Sequence, residues 1–194
     1  MILAYHSIFG AYGFWLPNDP RGSWSDYVRK WELYCFGPAT KLSEPRSTAH
    51  DDHDREQRMA AKEWLQYPAV EFNGHQALAI GRGFANSIQR SGFVILACSI
   101  LPQHVHLVIC RNRYRIERVV GQLKGEATKQ LIKERLHPFQ NVDPMPSPWG
   151  RNSWNVYLDS GDAIARAIAY VEQNPVKEGK RLQIWPFVTK FTGV

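Results

Sequence analysis

Apolar and polar positions along this chain alternate with two different periods, and the switches between them mark out the elements. Residues 1–9 are apolar and β-prone, and Gly10, Gly13, Pro17 and the run Asn18-Asp19-Pro20-Arg21-Gly22 end that first strand. A long irregular stretch follows, with Gly37-Pro38, Pro45 and the acidic run His50-Asp51-Asp52-His53-Asp54, which reads as a solvated helix start ahead of a short helical segment near 55–65. Ala77, Ile80, Phe84 and Ile88 then recur at helical spacing and predict an amphipathic helix over 76–89. Residues 93–100 and 104–110 are short, strongly apolar runs separated by Leu101-Pro102-Gln103, the pattern of an antiparallel hairpin.

Ile116, Val119, Val120, Leu123, Ala127 and Leu131 trace the stripe of a long helix over 116–136, with Arg118, Lys124, Lys129, Lys133 and Arg135 largely off it. Past a linker containing Pro138, Pro144, Pro146 and Pro148, residues 149–158 read as extended, with Trp154, Val156 and Leu158 alternating. Asp159-Ser160-Gly161-Asp162 supplies N-cap residue types for a last helix over 163–173, which Asn174-Pro175 is expected to stop. A further edge strand is expected near 184–188. This order predicts an α+β ferredoxin-like plait, an antiparallel sheet with helices packed on it, forming one domain over 1–194 with a long insertion at about 14–73.

Composition narrows the class. A chain of 194 residues at 44% hydrophobic content supports one sizeable core, and no run of about 18 apolar residues offers a membrane span. The N-terminus lacks a basic start, and His6 and Gly10 interrupt its apolar stretch, so a cytoplasmic location is expected. Cys35, Cys98 and Cys110 are odd in number and widely spaced, as free thiols are. Residues 1–110 carry 10 basic and 10 acidic side chains, whereas 111–194 carry 14 and 8, so the net charge of +6 lies wholly in the second half. That asymmetry suggests a polyanionic partner.

The most informative motif is Leu101-Pro102-Gln103-His104-Val105-His106. Side chains in a strand alternate faces, so His104 and His106 share one face while Val105, Leu107 and Ile109 point to the other. One divalent cation could touch both rings, although a catalytic cation normally holds about three protein groups and keeps an open position. On the last helix, Tyr170 and Asn174 sit four apart on a flank beside the small residues Ala163 and Ala167. A phenol and a carboxamide projecting together near two histidines would make a metal-assisted nucleophile site, if that helix packs against that strand.

Leu101-Pro102-Gln103-His104-Val105-His106 followed by Tyr170-Val171-Glu172-Gln173-Asn174-Pro175-Val176 resembles the single-tyrosine transposases of the HUH nuclease superfamily, especially the REP-associated and insertion-sequence-200-like branches. The stretch 149–158 and Trp185-Pro186-Phe187 add to the likeness, which is good from about residue 93 to 187. The resemblance implies a ferredoxin-like fold and cleavage and rejoining of single-stranded DNA through a covalent 5′-phosphotyrosine. It makes Tyr170 the nucleophile, His104 and His106 metal ligands, and Asn174 the third ligand, with neighbouring Gln173 as the competing choice.

The chemistry is consistent with that implication. A phenol with a reference pKa of about 10 needs a nearby cation or base to act as a nucleophile at neutral pH. By ligand softness, two imidazoles and a carboxamide would suit zinc, nickel, cobalt or iron, whereas the resemblance implies Mg or Mn with phosphate oxygens completing the shell. Arg111, Arg113 and Arg115 after the histidine strand, and Lys124, Lys129 and Lys133 on the following helix, are the expected phosphate contacts. Exposed members of Trp15, Trp24, Trp149 and Trp154 would stack on unpaired bases. Arg21 and its loop are expected to help recognise a DNA hairpin or cover the site.

The expected partner is hairpin-bearing single-stranded DNA and no membrane, with a monomer or a homodimer both compatible. Two alternatives stay open at this point. One is a non-catalytic nucleic-acid-binding plait, and the other is a metal-dependent phosphodiesterase in which water attacks.

Overall fold

A computed structural model of the chain describes residues 1–23, 25–42 and 51–193, so Trp24, Pro45 and His50 lie outside the described residues. The chain divides into two compact units, Met1–Ala11 with Glu71–Val194, and Tyr12–Val70.

The larger unit holds β1 (Ala4–Gly10), α3 (Gly74–Ser91), β2 (Ile95–Ile100), β3 (His104–Cys110), α4 (Ile116–Lys133), β4 (Trp154–Leu158) and α5 (Gly161–Lys177), while α1 (Trp31–Tyr34) and α2 (Arg55–Glu63) belong to the smaller one. Its four strands form one antiparallel sheet in the order β2-β3-β1-β4. That is the strand order of the ferredoxin-like plait, with α5 added. No helix among the described residues is long and apolar enough to cross a membrane.

Strand alternation sorts the two faces. Phe9 meets Phe84 of α3, so Tyr5, Ser7 and Phe9 look toward α3 and α4, as do Val105, Leu107 and Ile109 of β3. Ala4, Val108, Leu96, Ala97 and Leu158 pack on the other side against Ile164, Ala167 and Val171 of α5. Both faces of β2 and β3 are therefore covered, and every residue of β2 is buried.

Of the three long helices, α3 and α5 start at a side-chain cap, whereas α4 begins at Arg115 without one. Asn73 and Gln76 form a reciprocal capping box on α3, and Gly92 ends that helix in the left-handed conformation at φ 68°. Ser160 accepts the Ala163 N–H at the start of α5. That helix does not stop at Asn174-Pro175 as expected but runs to Lys177. Pro175 lies in the final turn, where only one helical bond is lost, and the true stop is Gly179 at φ 69°, with Gly179 N–H donating to Val176 and Lys180 N–H to Pro175.

The edge strand expected near 184–188 is also corrected. Only an isolated parallel bridge, Ile95 to Val188, is described there, while the Gln183 side chain takes the strand's place by pairing with both the N–H and C=O of Ile100. The Trp185 ring then packs against α3 where Gly81 leaves no side chain in the way.

Within the smaller unit, Leu16, Leu33 and Ala61 form a core with Val28, Phe36 and Leu65 packed around it. Asn18 donates to the Leu33 carbonyl, and Asp54 caps α2 by accepting from Gln57 N–H. Arg21 is buried, makes a bidentate pair with Asp19 and stacks 3.8 Å over the Trp15 ring. Its guanidinium is thus engaged inside this unit, and it orders the Asn18-Asp19-Pro20-Arg21-Gly22 turn.

Candidate active site

The predicted histidine pair does share a face, and the sheet adds a third ring to it. Register aligns Ser99, His106, Ile8 and Trp154 in one row across the four strands, and Ala97, Val108, His6 and Val156 in the next. His6 of β1 and His106 of β3 are therefore diagonal neighbours on the α5 side of the sheet. Their Nε2 and Nδ1 atoms lie 3.0 Å apart in a hydrogen bond, with ring centroids at 5.3 Å. His104 packs edge-on against His106 at 4.8 Å.

Helix α5 lies over β2 and β3 on this side and brings Tyr170 to the histidines. Its ring stands edge-on to both His6 and His106, 5.7 Å from each centroid. Tyr170 remains 42% exposed, whereas Asn174, one turn further on, is only 8% exposed. Between the two competing carboxamides, α5 turns Asn174 inward and leaves Gln173 in solvent. His106 and Tyr170 are thus brought together between sheet and helix, with His104 beside His106, while Asn174 is buried one turn further along α5.

Burial sets the protonation states here. It lowers His6 to a pKa of about 4 and His104 to about 4, and holds His106 well below its ordinary value, helped by its two histidine neighbours. All three rings are neutral at pH 7 and carry a lone pair each, the form that binds a cation. Burial also raises the Tyr170 phenol above its ordinary range, and the negative charge of Glu178 adds to that. The phenol is accordingly protonated and unactivated by the protein alone.

Two further residues were not singled out from the sequence. Lys177 holds its Nζ 4.8 Å from the Tyr170 ring centre, and Glu178, at the C-cap of α5, places a carboxylate oxygen 3.8 Å from His104 Nε2. With His104 neutral, that contact is not an ion pair. In sequence His6 shows only as a polar ring between Ala4 and Ile8 on one face of an apolar strand, and its pairing with His106 comes from the strand register.

The donor set fits a divalent cation. Asn174 Nδ2 and Ser99 Oγ are buried without a hydrogen-bond partner among the described residues, and a carboxamide presents an oxygen as readily as its nitrogen. Among the described residues, no three His, Cys, Asp or Glu side chains are grouped so as to hold a metal ion.

The expected phosphate contacts separate into three groups. Arg111, Arg113 and Arg115 are exposed in the segment that follows β3, the strand that carries His104 and His106. Lys129 and Lys133 are exposed on α4, in the layer on the far side of the sheet from the histidines, and Lys129 pairs with Glu126. Lys124 is turned inward, donating to the carbonyls of Gly150 and Asn152 and lying over Phe9. Of the tryptophans, Trp149 is buried against Phe9 and Phe72, whereas Trp154 is half-buried in the row that contains His106.

The family model for IS200-like transposases matches residues 66–174, a segment that contains both histidines, Tyr170 and Asn174. Two solved structures are similar at low identity. One is a REP-associated tyrosine transposase bound to a REP hairpin, 13% identical, with 95% of this chain and 74% of that one covered and a TM-score of 0.47. The other is a candidate transposase of Deinococcus radiodurans R1, 12% identical, with 89% and 91% covered and a TM-score of 0.41. Among curated proteins no sequence matches.

Proposed function

The chain belongs to the IS200-like transposase family, and from that premise we propose that it cleaves and rejoins single-stranded DNA at hairpin-bearing ends, using Tyr170 as nucleophile. The observation that carries this reading is the packing of the Tyr170 ring against His6 and His106, with the phenol still reachable from solvent. A tyrosine held only for packing would not need to stand exposed over a row of neutral imidazoles.

In this reading the Tyr170 oxygen attacks a backbone phosphorus. The new bond is Tyr170 Oη to phosphorus, the broken one is phosphorus to O3′, and the departing oxygen takes up a proton to become a free 3′-hydroxyl. Attack by another 3′-hydroxyl reverses these steps and releases the phenol, so phosphodiester energy is conserved and no nucleotide cofactor is consumed. His104, His106 and Asn174 would hold a divalent cation, Mg or Mn, which when bound supplies the positive charge that polarises the phosphate and favours the phenolate. Lys177, over the ring, adds charge of the same sign.

The strand would run along the half of this face that α5 does not cover. Trp154 and Val156 of β4 present an apolar strip beside the histidines on which unpaired bases can stack, and Arg111, Arg113 and Arg115 offer phosphate contacts beyond the other end of β3.

The test uses one hairpin oligonucleotide labelled at its 5′ end or its 3′ end, incubated with protein and Mn2+ or Mg2+. Expected are a protein-linked downstream fragment and an upstream fragment with a free 3′-hydroxyl, both absent for Tyr170→Phe. Cleavage without an adduct would assign the attack to water, and binding without cleavage would reduce the protein to a binding module.

A further inference from the structure

His6 lies outside the segment that the family model matches, and the cleavage scheme does not use it, yet it touches a proposed ligand directly. Resting on the reading of His104 and His106 as cation ligands, we propose that His6 is a positioning residue that sets the tautomer of His106. The Nδ1–H of His106 donates to His6 Nε2, which leaves Nε2 of His106 deprotonated and available to a cation.

Proton bookkeeping leads to this assignment. Two neutral imidazoles whose nitrogens approach to 3.0 Å in a hydrogen bond share one proton between those atoms. If His6 Nε2 carried it, His106 Nδ1 would be occupied as acceptor and the remaining proton of His106 would sit on Nε2, so neither nitrogen could ligate. Only donation from His106 leaves that ring a free lone pair. His6 then holds its own proton on Nδ1, and because its Nε2 lone pair is used in the bond, it is not the third ligand through that atom.

The fold enforces the contact. β1 is an inner strand paired on both edges, and its register with β3 fixes Ile8 opposite His106 and His6 opposite Val108. The two rings are nearly parallel, at 29°, and the Tyr170 ring closes against both. Ligating histidines are commonly fixed in this way by an acceptor for their second nitrogen, and losing that acceptor costs about 10–100-fold in metal affinity.

Two DNA-free readouts test the assignment: the imidazole tautomers by long-range 1H–15N NMR of metal-free protein, and Mn2+ affinity from the EPR signal of the free ion. In wild type, His106 is expected as the Nδ1–H tautomer. In His6→Phe, which keeps a ring but offers no acceptor, His106 is expected to shift toward Nε2–H and Mn2+ affinity to fall about tenfold or more. His6→Gln, whose carboxamide oxygen can accept, is expected to restore both.

An Nε2–H tautomer of His106 in wild type, or unchanged Mn2+ affinity in His6→Phe, overturns the proposal. Equal losses in His6→Gln and His6→Phe overturn it in favour of His6 as a ligand. Should His6→Phe fail to fold, the wild-type tautomer and His6→Gln still decide. A missing Tyr170 adduct with the expected tautomer would sink the strand-transfer reading alone, whereas no Mn2+ binding by wild type would sink the cation reading and this role with it.

Discussion

Lys177 and Tyr170 lie two turns apart on α5, and the lysine Nζ reaches back to 4.8 Å from the centre of the phenol ring. Next to it, Glu178 pulls the other way, its negative charge adding to burial in raising the Tyr170 pKa. Glu178→Gln should therefore lower the Tyr170 pKa and Lys177→Met should raise it, as read by NMR titration of labelled tyrosine. Because both charges are partly solvated, the accompanying change in adduct-forming rate should be on the order of a few-fold, faster for the first and slower for the second. Shifts of the same sign for both substitutions would remove the electrostatic role.

Acid should destabilise the metal-free protein over a defined window. His6 and His104 titrate at about 4 in the fold, from an ordinary value of 6.5, because burial disfavours their charged forms. The unfolded chain consequently binds more protons between those values, so stability falls as pH drops from about 6.5 to about 4 and is unaffected by these groups above 6.5. Each contributes on the order of 3 kcal/mol across the whole window. Urea midpoints at pH 7.5, 6.5, 5.5 and 4.5 should trace that loss, and His6→Phe should flatten the slope. A midpoint unchanged down to pH 5 would contradict neutral burial of the cluster.

Lys124 and Arg111 should behave oppositely although both were expected at phosphates. Lys124 is half-buried, donating to Gly150 O at 2.8 Å and Asn152 O at 3.1 Å, and partial burial lowers its pKa to about 8. Lys124→Met removes the donor to two carbonyls on the segment leading into β4 and should cost about 0.5–1.5 kcal/mol of stability, leaving the salt dependence of DNA binding unchanged. Arg111→Ala should leave stability alone and reduce the slope of log affinity against log salt by about one. A reduced slope in Lys124→Met would return that residue to the DNA interface.

What was legible in the sequence is what periodicity encodes. The period of two in His104-Val105-His106 fixed a shared face, and the stripe Ile116, Val119, Leu123, Ala127 and Leu131 fixed the inner side of α4, because both follow from local geometry alone. His6 was not legible as a site residue, because its nearness to His106 depends on the register between strands about 100 residues apart in sequence. The inward contacts of Lys124 were not legible for a related reason: it lies off the apolar stripe, and only the return of the 149–152 segment makes its half-buried side chain a donor to backbone carbonyls. The expected helix stop at Asn174 failed since proline is tolerated in a last turn when a left-handed Gly179 closes the helix behind it.

The two helices on the far face from the histidines meet at a glycine, and this makes the fold sensitive to a single methyl group. A Cβ added at Gly83 of α3 would stand 2.6 Å from the Ala127 Cα and 2.7 Å from the Glu126 carbonyl oxygen of α4, both backbone atoms. No rotamer change relieves such an overlap, so Gly83→Ala must push the helices apart and should lose about 1–3 kcal/mol despite alanine's higher helix propensity. At Gly121 nothing lies within 4 Å of the added atom, and Gly121→Ala on α4 should instead be neutral or stabilising by up to about 1 kcal/mol. Urea unfolding of the pair measures both. A Gly83→Ala protein as stable as Gly121→Ala would mean that α3 and α4 do not cross at this separation.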